Sequence, residues 1–155
     1  MEIERKWVPA APPPGLGAGE RRRVEQGYVA LDAAGAEVRV RRAGGELTLT
    51  VKSAPGLVRV EEELALSAEQ FESLWALTEG RRVVKTRHLV PLADGLTAEV
   101  DVYEGALAGL VTVEVEFGSE EASAAFDPPE WLGREVTGDK RYANRALAVD
   151  GAPPA

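Results

Sequence analysis

Alternation of apolar and polar residues runs through most of the chain, and it predicts strands. Residues 1–7 place Met1, Ile3 and Trp7 on one face and Glu2, Glu4 and Lys6 on the other. Further strands are expected over 24–31, 37–42, 46–53, 57–66, 82–92, 96–103 and 110–117, by period-two patterning between turn residues. Gly44-Gly45 and Asp94-Gly95 mark tight connections within this series, and Pro55-Gly56 marks another. One long amphipathic helix is predicted over 67–80. Ser67 is its N-cap, Gln70 stands three residues on, Phe71, Leu74, Trp75 and Leu77 form its apolar stripe, and Gly80 ends it. A short helix over 119–126 is ended by Pro128-Pro129, and a last one over 139–149, capped by Asp139, follows. Residues 9–19 and 151–155 are rich in Pro, Gly and Ala and read as mobile loop and tail.

Residues two apart in a strand share a face, so each strand carries one apolar and one charged side. The charged sides collect Glu2, Glu4 and Lys6; Arg39 and Arg41; Thr48, Thr50 and Lys52; Arg59, Glu61 and Glu63; Lys85 and Arg87; Glu99, Asp101 and Tyr103; and Thr112, Glu114 and Glu116. One architecture that fits is an antiparallel sheet with a wet outer face. Charge this dense, in pairs and triplets on seven of eight strands, favours a second. This is an α+β, mainly β fold: a closed eight-stranded antiparallel barrel, or tunnel, with a charged lumen and a few helices packed outside. Eight strands are about enough to enclose one small ligand. Burying so many ions is costly unless they are paired or bind something. Arg and Lys suit several phosphates, and carboxylates suit a hard divalent cation between them.

Composition narrows the rest. The chain has 155 residues, no Cys and one His, which removes thiol catalysis and multi-His zinc sites. A single domain over 1–155 is expected. The formal net charge of −8 disfavours non-specific nucleic-acid binding. With no apolar run of membrane-spanning length and no signal-like start, the expectation is a cytoplasmic protein, monomer or homodimer, that binds neither nucleic acid nor membrane. His88 lies opposite Lys85 and Arg87 and reads as structural. Arg21-Arg22-Arg23 reads as a solvated basic run, with a substrate-steering patch as the alternative.

The opening Glu2-Ile3-Glu4-Arg5-Lys6 resembles the E-x-E-x-K signature of the CYTH superfamily, the triphosphate tunnel metalloenzymes. The similarity continues in order through Gln26-Gly27-Tyr28, Arg39-Val40-Arg41, Leu47 to Lys52, Arg59 to Glu63, Lys85-Thr86-Arg87, Glu99 to Tyr103, Val113 to Phe117, Glu135-Val136-Thr137 and Asp139 to Tyr142. The resemblance implies a closed eight-stranded tunnel that acts on triphosphates with Mg²⁺ or Mn²⁺. It implies metal ligation by Glu2, Glu4, Glu114 and Glu116, with Glu61 and Glu63 assisting. It implies phosphate binding by Arg39, Arg41, Lys52, Lys85 and Arg87, with Arg59 a further candidate. Lys6, paired with Tyr28, is implied as catalytic or positioning, beside Glu2. Among carboxylates Lys6 would stay charged and bind phosphate; among cations it could act as a base. The simplest activity is hydrolysis of inorganic tripolyphosphate to diphosphate and phosphate. Class IV adenylate cyclase, thiamine triphosphatase and a non-catalytic polyphosphate-binding module are the alternatives.

Overall fold

The computed structural model describes residues 3–13 and 15–154. Glu2, a candidate metal ligand and catalytic residue, lies outside the described residues, as do Met1 and Ala155. The strands are β1 (Ile3–Val8), β2 (Arg21–Leu31), β3 (Glu37–Ala43), β4 (Glu46–Lys52), β5 (Glu61–Ala65), β6 (Arg82–Pro91), β7 (Thr97–Tyr103), β8 (Val111–Phe117) and β9 (Arg134–Glu135). Helices α1 (Ala68–Trp75), α2 (Glu120–Ala125) and α3 (Asn144–Asp150) complete the chain with several short 3₁₀ turns. Ser67 and Gln70 form the expected reciprocal capping box at the start of α1. Among the described residues no helix is long and apolar enough to cross a membrane.

All nine strands belong to one antiparallel sheet of order β5-β4-β3-β2-β6-β7-β8-β1-β9. The sheet is open, which corrects the expected closed eight-stranded barrel. Closure would need β1 to offer its free edge to β5. That edge is already occupied. β9 pairs with Trp7 and Val8, the Val136 N–H donates to the Lys6 carbonyl at 2.8 Å, and the Lys6 N–H donates to Thr137 Oγ1 at 3.0 Å. At the opposite edge, β5 begins only at Glu61 because residues 54–60 leave the ladder. Leu57, Val58 and Val60 are exposed there, and so is Leu64 of β5.

Register confirms the shared charged face. Lys6 lies opposite Glu114 and Glu4 opposite Glu116; Tyr28 lies opposite Arg39 and Gln26 opposite Arg41; Arg87 lies opposite Asp101 and Arg22. The apolar face of β1, β7 and β8 buries Trp7, Ala98, Val100, Val113 and Val115. Phe126, just past α2, closes over it, with its ring 5.8 Å from Trp7 and 5.2 Å from Phe117. α1 covers β2, β3 and β4 through the fully buried Phe71, stacked on Trp75 at 5.5 Å. Leu77, expected in the same stripe, is exposed because the chain tightens to 3₁₀ after Trp75.

α3 departs from the expectation that helices pack outside. It starts at Asn144 rather than 139, after a separate 3₁₀ turn that Asp139 caps by accepting from the Arg141 N–H. Its Leu147 and Ala148 pack with Tyr28, Val83 and Tyr103, residues that the register places on the charged face. α3 therefore fills one end of that face.

Gly133, just before β9, has φ +77°, and a Cβ there would sit 2.6 Å from the Val8 carbonyl oxygen and 2.8 Å from Pro9 Cα. Gly133→Ala is expected to cost about 1–3 kcal/mol from backbone strain and clash, measured as a lower denaturant midpoint. An unchanged midpoint would mean that residues 134–137 can move off β1 without penalty.

Candidate active site

The curl of the sheet brings strands from both halves around one cavity of about 620 Å³. It is lined by Glu4 and Lys6 of β1, Tyr28 of β2, Glu37 and Arg39 of β3, Lys52 of β4 and Glu114 of β8. Arg59 joins from the loop before β5, Thr137 to Lys140, Tyr142 and Ala143 from the segment leading into α3, and Asn144 and Arg145 from its first turn. The strand order puts β4 six places from β1, so the sheet curves far enough to bring the two together without pairing. The ionic faces converge on a groove with an open seam.

The carboxylate side of the groove holds Glu4 and Glu114. Glu4 is held above the ordinary carboxylate range, first by partial desolvation and then by the neighbouring Glu114 and Glu116 charges. Glu99 is also raised, through burial and against the opposing pull of Arg87. Among the described residues no three Asp, Glu or His side chains come close enough to form a ready-made cation cage. The donor set present fits a narrower demand. Mg²⁺ is commonly held by one or two carboxylates, with substrate phosphates and water completing its shell, and two mutually repelling carboxylates supply that part. Glu61 and Glu63, expected to assist, do not line the cavity. They lie on the exposed β5, where Glu61 pairs with Lys52 at 3.5 Å.

Lys6 does not pair with Tyr28. Its Nζ donates to the Tyr142 carbonyl oxygen at 2.6 Å and lies 3.3 Å from Glu114 Oε1. Both contacts engage it as a hydrogen-bond donor and counter-ion. Tyr28 is buried, and its hydroxyl accepts from Gln26 Nε2 at 2.9 Å. Burial first, then Glu37, raises its pKa above the usual phenol value.

The candidate phosphate ligands fall into two groups. Lys85 and Arg87 are satisfied within the protein. Lys85 Nζ is buried 2.8 Å from Asp101 Oδ2, and Asn144 Oδ1 accepts from it at 3.3 Å. Arg87 makes a two-pronged contact with Asp101 at 2.9 and 3.0 Å and reaches Glu99 at 2.6 Å. Burial pulls Lys85 below its ordinary value; the Arg87 and Lys85 partners hold Asp101 below its own despite desolvation. Arg39, Lys52 and Arg59 instead line the open cavity, and the buried Arg39 Nε has no partner. Arg41 also has an orphaned buried Nε but lies outside this cavity.

One residue of the site escaped the sequence reading. Glu37 is buried at the base of the cavity, 3.6 Å from Arg39 and 3.8 Å from Arg59, with Oε2 lacking a hydrogen-bond partner. Its alternation with Arg39 and Arg41 was the available signal. Arg22 projects from β2 on the charged face, opposite Arg87. His88 lies on the other face, as expected, its Nδ1 3.1 Å from the Leu16 carbonyl oxygen.

A curled antiparallel sheet whose concave side sets carboxylates across from cations defines a class of enzyme that handles anionic chains, and comparison with known proteins gives the class its name. An inorganic triphosphatase of Nitrosomonas europaea is 50% identical over 149 residues, covering 96% of this chain and 97% of its own. One from Acetivibrio thermocellus is 40% identical over 124 residues, covering 79% and 77%. A crystal structure of an inorganic triphosphatase superposes with TM-score 0.84 at 45% identity, covering 99% of this chain and 97% of that one. A Hippeastrum protein studied as an adenylyl cyclase, with a dominant triphosphatase activity, shares the fold alone at TM-score 0.51 and 18% identity over 80% and 83% of the two chains. No family model matches the chain. This chain belongs to the inorganic triphosphatases.

Proposed function

We propose that the chain hydrolyses inorganic tripolyphosphate to diphosphate and phosphate in the 620 Å³ groove, with Mg²⁺ or Mn²⁺ as cofactor. The observation that carries this reading is the division of one cavity into a carboxylate side, Glu4 and Glu114, and a cationic side, Arg39, Lys52 and Arg59. The volume lies within the ~300–1,000 Å³ of small-ligand sites.

Phosphoryl transfer asks a protein for alignment and dispersed positive charge more than for covalent help. Arg39 and Lys52 bind phosphate oxygens, and the orphaned Nε of Arg39 is one donor ready for them. Arg59 reaches in from the 53–60 loop, where its Nε donates to the Ser53 carbonyl at 2.9 Å. Glu4 and Glu114 would hold the divalent cation, and Glu2 would join them by its place in the motif. When bound, that ion neutralises phosphate charge as it builds in the transition state. Lys6, anchored to Glu114 and the Tyr142 carbonyl, positions a phosphate oxygen as an ammonium. Lys85 and Arg87 act mainly by shaping the floor, since Asp101 already engages both.

The test is phosphate release from tripolyphosphate, ATP, thiamine triphosphate and long-chain polyphosphate with Mg²⁺, Mn²⁺ or EDTA. Tripolyphosphate is expected to be cleaved fastest, and EDTA to abolish the reaction. Turnover that survives EDTA removes the metal role. Cyclic AMP from ATP replaces hydrolysis with cyclisation. Binding without turnover leaves a polyphosphate-binding module.

A further inference from the structure

Four carboxylates line the groove among the described residues, and three have an evident task. Glu4 and Glu114 form the metal side, and Asp139 is tied to Arg141 at 2.7 Å. Glu37 is the fourth, and it stands among the cations. Its side chain is 8% exposed, 3.6 Å from Arg39 and 3.8 Å from Arg59, with Lys52 opposite it in the β3–β4 register.

These distances matter. Both exceed hydrogen-bond reach, and the buried Oε2 of Glu37 has no hydrogen-bond partner. Asp101 makes the contrasting arrangement: it holds Lys85 at 2.8 Å and Arg87 at 2.9 and 3.0 Å, which takes both cations out of use. Glu37 offsets charge without occupying donors. The Nε of Arg39 stays buried and unpartnered beside it. Arg59 is fixed by carbonyl oxygens instead, donating to Ser53 at 2.9 Å and Gly35 at 3.4 Å. A buried carboxylate with so few contacts opposes folding more than it orders its neighbours. Its effect on the groove is electrostatic: it lowers the positive potential that any anion meets at this end. That field reaches across the floor, where Glu37 ranks second to burial in raising the Tyr28 phenol above its usual value.

We propose that Glu37 is a specificity-determining residue, a resident counter-ion that competes with bound phosphates for Arg39, Lys52 and Arg59. Its repulsion acts on every anion lodged at the cationic side. An intact tripolyphosphate spans the groove and gains contacts at the Glu4–Glu114 side that offset this repulsion. A fragment left among the three cations has no such compensation. Glu37 therefore favours the whole chain over diphosphate and phosphate, and it speeds the departure of both products. The release step rests on the triphosphatase reading; the weakening of anion binding does not.

The experiment titrates diphosphate into the full chain in EDTA, by calorimetry, and measures tripolyphosphate turnover with Mg²⁺ in parallel. Glu37→Gln keeps the shape and removes the charge. It is expected to bind diphosphate about tenfold tighter than wild type, the scale for losing one like charge at partly screened range. It is also expected to lower both KM and kcat for tripolyphosphate, because product is retained. Glu62→Gln removes the same charge from the other face of β5, where Glu62 lies across from Val51, and is expected to bind as wild type. A merely structural Glu37 would give the opposite sign, with loosened cations, weaker diphosphate binding and a raised KM. That result overturns the proposal. So does diphosphate affinity that is unchanged in Glu37→Gln, absent from both proteins, or tightened equally by Glu62→Gln. Should Glu37→Gln fail to fold, Glu37→Gln/Arg59→Gln removes one cation with the anion and is compared with Arg59→Gln. The double variant is expected to bind diphosphate the tighter of the two, and equal or weaker binding overturns the proposal. Tighter diphosphate binding by Glu37→Gln, with turnover in neither protein, counts against the triphosphatase reading and leaves the role of Glu37 standing.

Discussion

Glu4→Gln protein is expected to fold normally and to lose about two to three orders of magnitude in metal-dependent tripolyphosphate turnover, the scale for removing one charged group from a preorganised electrostatic site. Glutamine keeps the shape and one carbonyl oxygen but removes the negative charge. Folding should not suffer. The carboxyl of Glu4 is held above its ordinary value of 4.5 by desolvation and by Glu114 and Glu116. A raised acid opposes folding in its ionised form, and that opposition sets in as pH rises through 4.5 toward the higher native value. Above that window the variant is therefore expected to unfold no more easily than wild type without added metal. The same shift governs activity. Since the ionised carboxylate is the form that receives a cation, kcat/KM should climb with an apparent pKa above 4.5, following the raised Glu4 carboxyl. Raising the metal concentration should move that limb to lower pH. A Glu4→Gln enzyme with near wild-type turnover would remove Glu4 from the mechanism.

The second large effect concerns stability. Asp101 and Lys85 are both almost fully buried, and Asp101 also holds Arg87 by two hydrogen bonds. Asp101→Ala leaves the buried Lys85 without its anion and Arg87 with Glu99 alone, and is expected to cost about 3–5 kcal/mol, as when one partner is removed from a buried pair. Chemical unfolding would read this directly. The double variant Asp101→Leu/Lys85→Met should recover a large part of the loss, because the penalty lies in the stranded charge. The depressed native pKa of Asp101 adds an acid dependence: its contribution is full above the ordinary 3.8 and disappears as pH falls through 3.8 toward the native value. An Asp101→Ala protein within 1 kcal/mol of wild type would mean that water reaches Lys85 and solvates it.

Much of this was legible in the residues. Period-two alternation set eight strands and told which side chains share a face, and the register bears this out wherever it can be checked, as with Lys6 opposite Glu114. Ser67 and Gln70 announced the cap of α1. Closure was not legible, because alternation describes a strand's faces and is silent about which edges meet. The decisive contacts are backbone ones from residues 134–137, a segment too short to show a period. The β5 prediction ran long for a related reason. Leu57, Val58 and Val60 have strand-like side chains, yet only Val60 keeps a backbone tie to the neighbouring strand's end, its carbonyl accepting from the Ser53 N–H. Partnering was equally hidden. Arg39, Arg41, Lys85 and Arg87 look alike in the sequence, but Asp101 claims the last two and leaves the first two to other anions.

The open seam has a consequence for how these molecules meet one another. β5 ends the sheet with an unpaired backbone, and Val51, Leu64 and the nearby Val60 leave apolar surface beside it. Such rims ordinarily invite strangers to add strands and grow into fibrils. Here Glu61, Glu62 and Glu63 stand in succession along the rim. Any second β5 laid against it would bring acid against acid, a penalty that outweighs the few backbone bonds on offer. The glutamates serve as gatekeepers against aggregation, and screening them with salt removes the guard.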